Sequence, residues 1–551
     1  MCLGGYLILF YMRLKIRKKK NKSGSISIHI VDRSGRGYKV VESLGSSKDP
    51  DEIERLYQKA FDRINELENN LFHFFKINSK KELLKELLSE HTTQDFIPIG
   101  DELIFGRLFD AIGCNKVFEN LQKTNIKRIE KKQFLFRSLV ISRILYPGSK
   151  LELIHYLDYF KHKDITVDTI YCFLDTIYQE EVKTQIEQCV FEHTKKIMNG
   201  SITVTFYDIT TLYFESESED DLKRIGFSKE GKIARPQILL GLFTTLEGYP
   251  LSFEIYEGNK YEGHTLIDIL QKFQTKFQLK NKPIVVADRG MLTDANVAFL
   301  EENGYKYILA YKIKNIDNEL KEKIANLTFL NDKAIHTLEL QKEIQYKDNN
   351  GKKQTLHTKQ RLILSYSTKR AKKDKKTREK ALEKIKAKLS KNITKSDLKL
   401  SYYAKYLNID DKCTIKYKLN PEKIMQDEKL DGIKGFVTND FTLSSNDVIA
   451  HYQNQYNVEK AFRISKTDLR IRPIYHRLEN RIKAHILISF VAYAIYKEFE
   501  RRLKLHNVKF NFSQKLLRKI IEHFIALKID NELLPINPSP IQKQILKIFE
   551  N

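Results

Sequence analysis

Three acidic residues lie where the chain could bind a divalent metal ion: Asp208, Asp288 and Glu459. Asp208 lies near the end of the β-rich run SITVTFYDIT, and Asp288 ends the apolar run in KPIVVADRGM. Strand ends in open sheets border crevices where ligands commonly bind. Two carboxylates at such an edge suit Mg²⁺, which prefers oxygen ligands and usually keeps several waters. For either aspartate alone, the favoured interpretation is that it ends the strand or caps the next turn.

The third acid, Glu459, lies in YQNQYNVEKAFRISK, a stretch with helical spacing that begins at Tyr452. If the stretch is one helix, with about 100° per residue, four polar side chains fall within an arc of roughly 60°: Tyr452, Gln455, Glu459 and Lys466. The spacing therefore predicts a polar stripe with a single acid. It also permits an ordinary surface ion pair between Glu459 and Arg463, four residues further on.

The elements that would position the two aspartates are predicted between residues 201 and 314. A hairpin turning at Glu247-Gly248 follows the run that contains Asp208, and a helical stretch, TLIDILQKFQTKF, comes next. The strand that ends at Asp288 precedes a short helix, DANVAFLEENG, and a final strand, YKYILAY. The order strand, strand, strand, helix, strand, helix, strand predicts a mixed sheet with helices.

The segments before and after residues 201–314 show other patterns of apolar and charged residues. Residues 13–45 begin with a basic arm and continue as two short strands around a Gly turn, and residues 50–90, 101–200 and 445–551 are predicted to be helical. Residues 315–430 break the alternation with a hairpin around the turn KDNNGKK, followed by a strongly basic helical stretch.

The chain of 551 residues is strongly basic, with 96 Lys and Arg against 71 Asp and Glu and a net charge of +25. Such a surplus attracts polyanions, of which nucleic acid is the first to consider. A Lys-rich surface in an AT-rich genome explains the surplus equally well. The basic segment 13–22 could bind phosphates or be a disordered, solvated tail. For the basic segment 369–391 a solvated face is the favoured interpretation, because most charge runs are solvated, and contact with a DNA backbone is the alternative.

Composition and cysteine spacing exclude several other classes of protein. Hydrophobic residues make up 41% and charged residues 30% of the chain, which indicates a globular rather than a disordered protein. The five cysteines include no C-x-x-C pair, so a zinc site or disulfide framework is not expected.

The apolar N-terminal run is too short to span a membrane, and we expect translation to start at Met12. The apolar run from Ile486 to Ile495 is predicted to be a buried helix.

Taken together, these motifs resemble the DDE transposases of the insertion-sequence-4 superfamily, particularly the insertion-sequence-1634-like group. That group carries the signature Tyr-x2-Arg-x3-Glu-x6-Lys, which Tyr452, Gln455, Glu459 and Lys466 reproduce in spacing, with Gln455 in place of Arg. Six further blocks between about 200 and 500 are similar to blocks of the group: FYDITTLYFE, GFSKEGK, PQILLGL, EGNKYEGHT, VVADRGM and KTDLRIRPIYH.

The resemblance implies an α/β fold with an RNase H-like mixed-sheet catalytic core, a β-rich insertion, and helical N-terminal and C-terminal regions. Asp208, Asp288 and Glu459 match the catalytic, metal-binding acids, which would hold two Mg²⁺ ions, with Mn²⁺ as a substitute. The predicted units are a basic hairpin with helices for DNA binding (13–95), a helical region (96–200), the first part of the core (201–314), an insertion subdomain (315–430), the second part of the core (431–500) and a helical C-terminal region (501–551).

The implied function is cut-and-paste transposition of an insertion sequence in the bacterial cytoplasm, on the nucleoid and with no membrane partner. The partners would be double-stranded DNA, as terminal inverted repeats and target DNA, and a second copy of the chain in a homodimer. The expected DNA-contacting residues are Tyr452, Gln455, Tyr456, Arg463 and Lys466, with Tyr456 as a surface on which a flipped base could stack. The alternatives are an RNase H-like nuclease without strand transfer and an inactive DNA-binding relic.

Overall fold

The computed structural model describes residues 14–33, 37–67, 89, 92, 95–119, 126–161, 163–227, 234–279, 281–329, 331–332, 334–347, 351–389, 406–410, 416–506, 514–529 and 532–549. The chain divides into two compact units between Asp95 and Phe96. The expected start at Met12 and the last five residues of the block GFSKEGK lie outside the described residues.

The first unit is a three-stranded antiparallel sheet covered by one helix. Its elements are β1 (Leu14–Lys20), β2 (Ile26–Asp32), β3 (Lys39–Ser47) and α1 (Pro50–Leu67). Ile28 and Ile30 are fully buried against the helix, which explains why an alternating apolar run folds as the central strand. Residues 14–20 of the basic arm are a strand paired with β2, so the disordered-tail interpretation is wrong for them. Of the predicted helical stretch 50–90, residues 68–88 and 90 lie outside the described residues.

The second unit begins with one short strand and a group of helices, which confirms the prediction for residues 101–200. These elements are β4 (Phe96–Pro98), a π-helical turn (Asp101–Gly106), α2 (Arg107–Ile112), α3 (Ile126–Leu145), α4 (Lys150–Lys161), α5 (Val167–Ile177) and α6 (Glu180–Ile197). The apolar faces of α2, α3 and α5 pack into the same hydrophobic core as the long C-terminal helix described below.

The central sheet has the predicted element order. Its elements are β5 (Val204–Tyr213), β6 (Gln237–Thr245), β7 (Pro250–Glu257), α7 (Thr265–Phe277), β8 (Ile284–Ala287), α8 (Asp294–Glu302) and β9 (Tyr307–Tyr311). The turn between β6 and β7 contains Gly248 at φ +83, a conformation that glycine adopts without strain, as expected from Glu247-Gly248.

Strand order defines the fold of this unit. Within the sheet the strands lie in the order β7-β6-β5-β8-β9. β5, β8 and β9 are parallel, while β6 runs antiparallel to both neighbours. Three meandering strands followed by two parallel ones, with strand one in the centre, form the RNase H-like arrangement, so the predicted fold class is confirmed. Successive residues of β5, such as Phe206 and Tyr207, enter the separate cores on the two faces.

The sheet continues beyond β9 into the predicted insertion. The further elements are α9 (Asn318–Ala325), β10 (Ile335–Lys347), β11 (Lys353–Tyr366), α10 (Thr368–Leu389), β12 (Leu407–Asp410), β13 (Lys416–Leu419), α11 (Pro421–Lys429) and β14 (Ile433–Thr438). β14 pairs with β9, and the hairpin β10-β11 pairs with β14, giving one eight-stranded sheet. The predicted hairpin and basic helix therefore exist, and the hairpin extends the core sheet instead of forming a separate one.

The rest of the chain is mainly helical, with one departure from the prediction. Its elements are α12 (Ser445–Gln453), α13 (Tyr456–Arg463), a π-helical turn (Ile464–Asp468), α14 (Glu479–Leu505), α15 (Gln514–Glu522), β15 (Ile525–Ile529), β16 (Glu532–Pro535) and α16 (Pro540–Phe549). β15 and β16 form a small sheet with β4, so the expectation of a wholly helical region 501–551 is wrong. Five-residue runs such as IALKI are too short for periodicity to separate strand from helix.

Helix α14 carries the apolar run Ile486–Ile495, which is almost entirely buried, as predicted. Among the described residues, no helix is both long and apolar enough to cross a membrane.

Candidate active site

The sheet register brings the two aspartates side by side. β5 and β8 are parallel, with Tyr207 opposite Ala287, so the next residues, Asp208 and Asp288, follow on neighbouring strands. Neighbouring strands lie about 4.8 Å apart. Asp208 is half-buried within β5, whereas Asp288 is exposed directly after β8. This part of the sheet therefore presents two carboxylates on the same face.

Tyr452 connects this pair to helix α12. Its hydroxyl donates a hydrogen bond to Asp288 Oδ1 at 3.0 Å. Burial raises the pKa of the Tyr452 hydroxyl, and the negative charges of Asp288 and Asp208 raise it further. The phenol thus stays protonated, and the charges of both carboxylates act on it.

The segment that carries Tyr452, Gln455, Glu459 and Lys466 is not the single helix that the sequence predicts. Helix α12 ends at Gln453, α13 begins at Tyr456, and a π-helical turn follows from Ile464 to Asp468. A π turn has a wider hydrogen-bond spacing than an α-helix, so it changes the direction in which later side chains point. The expected continuous stripe is therefore wrong as a geometric description.

Both ends of the interrupted segment nevertheless contact the elements that carry the aspartates. Lys466 Nζ donates a hydrogen bond to Thr210 Oγ1 at 2.6 Å. Thr210 lies two residues after Asp208, and alternate residues of a strand share a face. Lys466 therefore lies over the strand that holds Asp208, as Tyr452 lies beside Asp288.

Glu459 is exposed on α13, and α13 packs on β5. Within the described part of the chain, its carboxylate forms no ion pair with Arg463, the alternative that the spacing allowed. In the same part of the chain, no three His, Cys, Asp or Glu side chains are grouped closely enough to hold one ion together. The structure thus brings Asp208 and Asp288 together and leaves Glu459 on an adjacent helix outside that group.

The remaining predicted DNA-contacting residues differ in exposure. Tyr456 is 59% exposed and Arg463 is also exposed, so both could meet a ligand. Gln455, in contrast, is only 8% exposed and lies at the junction of α12 and α13. An Arg at that position would have to bury its side chain at this junction, which the sequence spacing did not reveal.

A basic cleft that the sequence analysis missed adjoins Asp288. It has a volume of about 640 Å³ and is lined by Asp288 and Tyr452, together with the aromatic side chains of Tyr311 and Phe436. Five cationic residues also line it: Arg289, Lys312, Lys314, Arg370 and Lys434. Arg289 could have been found from the sequence, since it follows Asp288 directly. Lys312 and Lys314 follow β9, Arg370 lies on α10 and Lys434 on β14, so only the fold shows that these residues share a cleft.

The donor set at the two aspartates fits a divalent metal ion. Two hard carboxylate oxygen donors on adjacent strands, one of them exposed, leave room for the waters that Mg²⁺ usually retains. The nearby cleft supplies positive charge for an anionic ligand, whereas the metal position itself is lined by acids.

The fold and paired acids define an RNase H-like protein with a carboxylate site at the centre of its sheet. The family model of the transposase DDE domain matches residues 199–495, more than half of the chain. The chain therefore belongs to the DDE transposases, enzymes that use divalent metal ions to cut and rejoin DNA.

Two other comparisons add no further assignment. The structure is similar to a piggyBac transposase synaptic complex with hairpin DNA, solved by cryo-electron microscopy. The identity is 10%, the match covers 77% of this chain and 79% of that chain, and the TM-score is 0.35, at which the likeness carries no argument. No match was found among curated proteins.

Proposed function

We propose that this transposase binds the ends of an insertion sequence and moves it by a cut-and-paste route, with Asp208, Asp288 and Glu459 as the catalytic acids. The observation that supports the proposal most is the placement of Asp208 and Asp288 on neighbouring parallel strands of an RNase H-like sheet. Glu459 is included because its helix packs on β5 and its carboxylate is exposed.

The three acids would hold two Mg²⁺ ions, which when bound polarise the scissile phosphate and the attacking oxygen. Tyr452 holds Asp288 in place through its hydroxyl, which burial keeps protonated. Lys466 keeps a positive charge over β5 near Asp208, where a scissile phosphate would bind. The cations of the basic cleft would hold the DNA backbone next to Asp288.

The reaction sequence uses two kinds of transfer at phosphorus: hydrolysis or attack on the opposite strand, which together must break both strands at each end to free the element, and strand transfer to the target. Water attacks the phosphodiester at the end of the element and releases a strand with a free 3′-OH. That hydroxyl then attacks a phosphodiester of the target, and the leaving group is the adjacent 3′ oxygen of the target strand. Neither transfer needs a covalent enzyme intermediate, which agrees with a site built on acids.

We also assign the chain to the insertion-sequence-1634-like group, on the motif blocks and the spacing of Tyr452, Gln455, Glu459 and Lys466. The proposed partners are terminal inverted repeats, target DNA and a second copy of the chain, because two ends must be cut together. Since insertion sequences lie in bacterial chromosomes, the proposed place of action is the nucleoid of a bacterium.

A joining assay separates this proposal from a nuclease of the same fold. The full chain is incubated with Mg²⁺, a supercoiled target plasmid and a labelled duplex that ends in the inverted repeat found beside the gene. We expect label to become covalently joined to the plasmid through the 3′-OH of the duplex. Cleavage without any joined product would support the nuclease, and binding without cleavage would support the inactive relic.

Duplex binding should weaken steeply with salt, because each phosphate contact releases counterions. If six or more phosphates are contacted, affinity falls by about 10³-fold or more between 50 and 200 mM salt. We expect the double variant Lys372→Gln, Lys376→Gln, on the exposed face of α10, to flatten this dependence. The matched control, Lys543→Gln with Lys547→Gln on α16, removes the same charge. Equal slopes for the two double variants would mean that the α10 lysines are merely solvated.

A further inference from the structure

A buried cluster of basic side chains lies where α3, α4 and α14 meet, outside the aspartate site. Arg143 of α3 is 6% exposed and Lys150, the first residue of α4, is 8% exposed. His485 of α14 is also buried, and the ring of the half-buried His476 lies 5.5 Å from it. His476 is the last residue of the block KTDLRIRPIYH, in which the proposed function gives a role only to Lys466.

The hydrogen bonds within this cluster show which of its groups are left to donate a hydrogen bond to a ligand. His485 Nε2 lies 3.0 Å from the carbonyl oxygen of Ile471, so it donates there and its Nδ1 is the acceptor. Arg143 Nη2 donates to that Nδ1 at 3.3 Å. Arg143 Nε is buried without a hydrogen-bond partner, and Lys150 has no hydrogen bond or ion pair with any described residue.

No described carboxylate balances these charges. Asp175, whose charge acts on His476, is held by Arg481 through two hydrogen bonds of 2.6 and 2.7 Å. Burial, followed by the charge of Arg143, lowers the pKa of Lys150 well below its usual value. Burial, followed by the charges of Lys150 and Arg143, lowers the pKa of His476 to about 4. Buried cations without an opposite charge are costly, and a bound anion would remove most of that cost.

We propose that Arg143, Lys150 and His476 form a phosphate-binding site, separate from the metal site, that takes a phosphodiester group of the DNA. Arg143 Nε and the ammonium group of Lys150 would each donate to phosphate oxygens, and His476 lies at the outer side of the cluster. His485 is a positioning residue, because it acts through Arg143.

The position of the connecting segment favours DNA as the source of the phosphate. Ile474, two residues before His476, forms a β-bridge with Phe214, which directly follows β5. Phe214 lies six residues beyond Asp208, a span of about 20 Å or roughly six base-pair steps. Exposed basic residues, Arg470 and Arg477, flank the segment. A duplex cut at Asp208 could therefore place a second phosphate near this cluster.

The first test uses inorganic phosphate and does not depend on the proposed cleavage chemistry. The melting temperature of the full chain is measured in sodium phosphate and in sodium chloride of equal ionic strength. We expect phosphate to raise the Tm of the wild type by about 2 °C or more through binding to the folded state. The rise should disappear in Lys150→Met and persist in Lys131→Met, which removes an exposed charge from α3.

The chloride measurements show whether Lys150→Met folds, and His476→Gln is a milder second variant at the outer side of the cluster. Phosphate is also excluded from protein surfaces, which stabilises folded proteins without a site. An equal rise in wild type, Lys150→Met and His476→Gln would therefore overturn the proposed site.

The second test identifies the source of the phosphate group. We expect Lys150→Met to lower affinity for a duplex by about tenfold and to reduce the salt slope by about one phosphate contact. Lys131→Met should leave both unchanged. A phosphate effect on Tm without any change in duplex affinity would keep the site but overturn DNA as its ligand, leaving free phosphate.

Discussion

Replacing Asp208, Asp288 or Glu459 by alanine, one at a time, is expected to lower DNA cleavage by about 10³-fold or more. Each carboxylate would balance the charge of a metal ion, and loss of roughly 4 kcal/mol of transition-state stabilisation corresponds to that factor. DNA binding should change little, because affinity comes mainly from lysines and arginines. The measurements are gel-based cleavage in Mg²⁺ and duplex affinity for the same purified variants.

Asp294→Ala is the matched control, since Asp294 is an exposed acid on α8, just six residues after Asp288. It should cleave at the wild-type rate. The three test variants are not equivalent in the structure, because only Asp208 and Asp288 are brought together by the sheet. If Glu459→Ala cleaves at the wild-type rate while Asp208→Ala and Asp288→Ala are inactive, Glu459 does not belong to the active site. The two aspartates would then remain as its catalytic acids.

The core was predictable because its signals are local. Each strand from β5 to β9 is a short apolar run bounded by turn residues, and each helix between them shows 3.6-residue spacing. Asp208 and Asp288 were found for the same reason, since each lies in or directly after such a run. Their side-by-side position, in contrast, comes from the fold, because it depends on the parallel pairing of β5 with β8.

Features that depend on distant contacts were not predictable from the sequence. The hairpin β10-β11 joins the core sheet only because β14, more than sixty residues later, lies between it and β9. The π turn that contains Lys466 breaks the assumed helical phase at the place where Lys466 donates its hydrogen bond to Thr210. Arg143 and His485 meet from opposite ends of the second unit, so no spacing rule links them.

Gln455→Arg, which restores the residue expected in the signature, is predicted to raise the Mg²⁺ concentration needed for half-maximal cleavage several-fold. Gln455 is 8% exposed at the junction of α12 and α13, so an added guanidinium has little access to water. A buried cation seeks an opposite charge. Glu459 lies one turn further along the chain, and an ion pair with Arg at 455 would compete with metal for its carboxylate.

The matched control is Gln453→Arg, which adds the same side chain two residues earlier at an exposed position. There the guanidinium stays hydrated, so the Mg²⁺ requirement should remain that of the wild type. A second comparison, Gln455→Met, removes the amide without adding charge and should also leave the requirement unchanged. If the Mg²⁺ requirement of Gln455→Arg equals that of either of these variants, a positive charge at the junction does not affect metal binding by Glu459. If its requirement rises while theirs does not, the absence of a positive charge at position 455 is what leaves Glu459 available to bind metal.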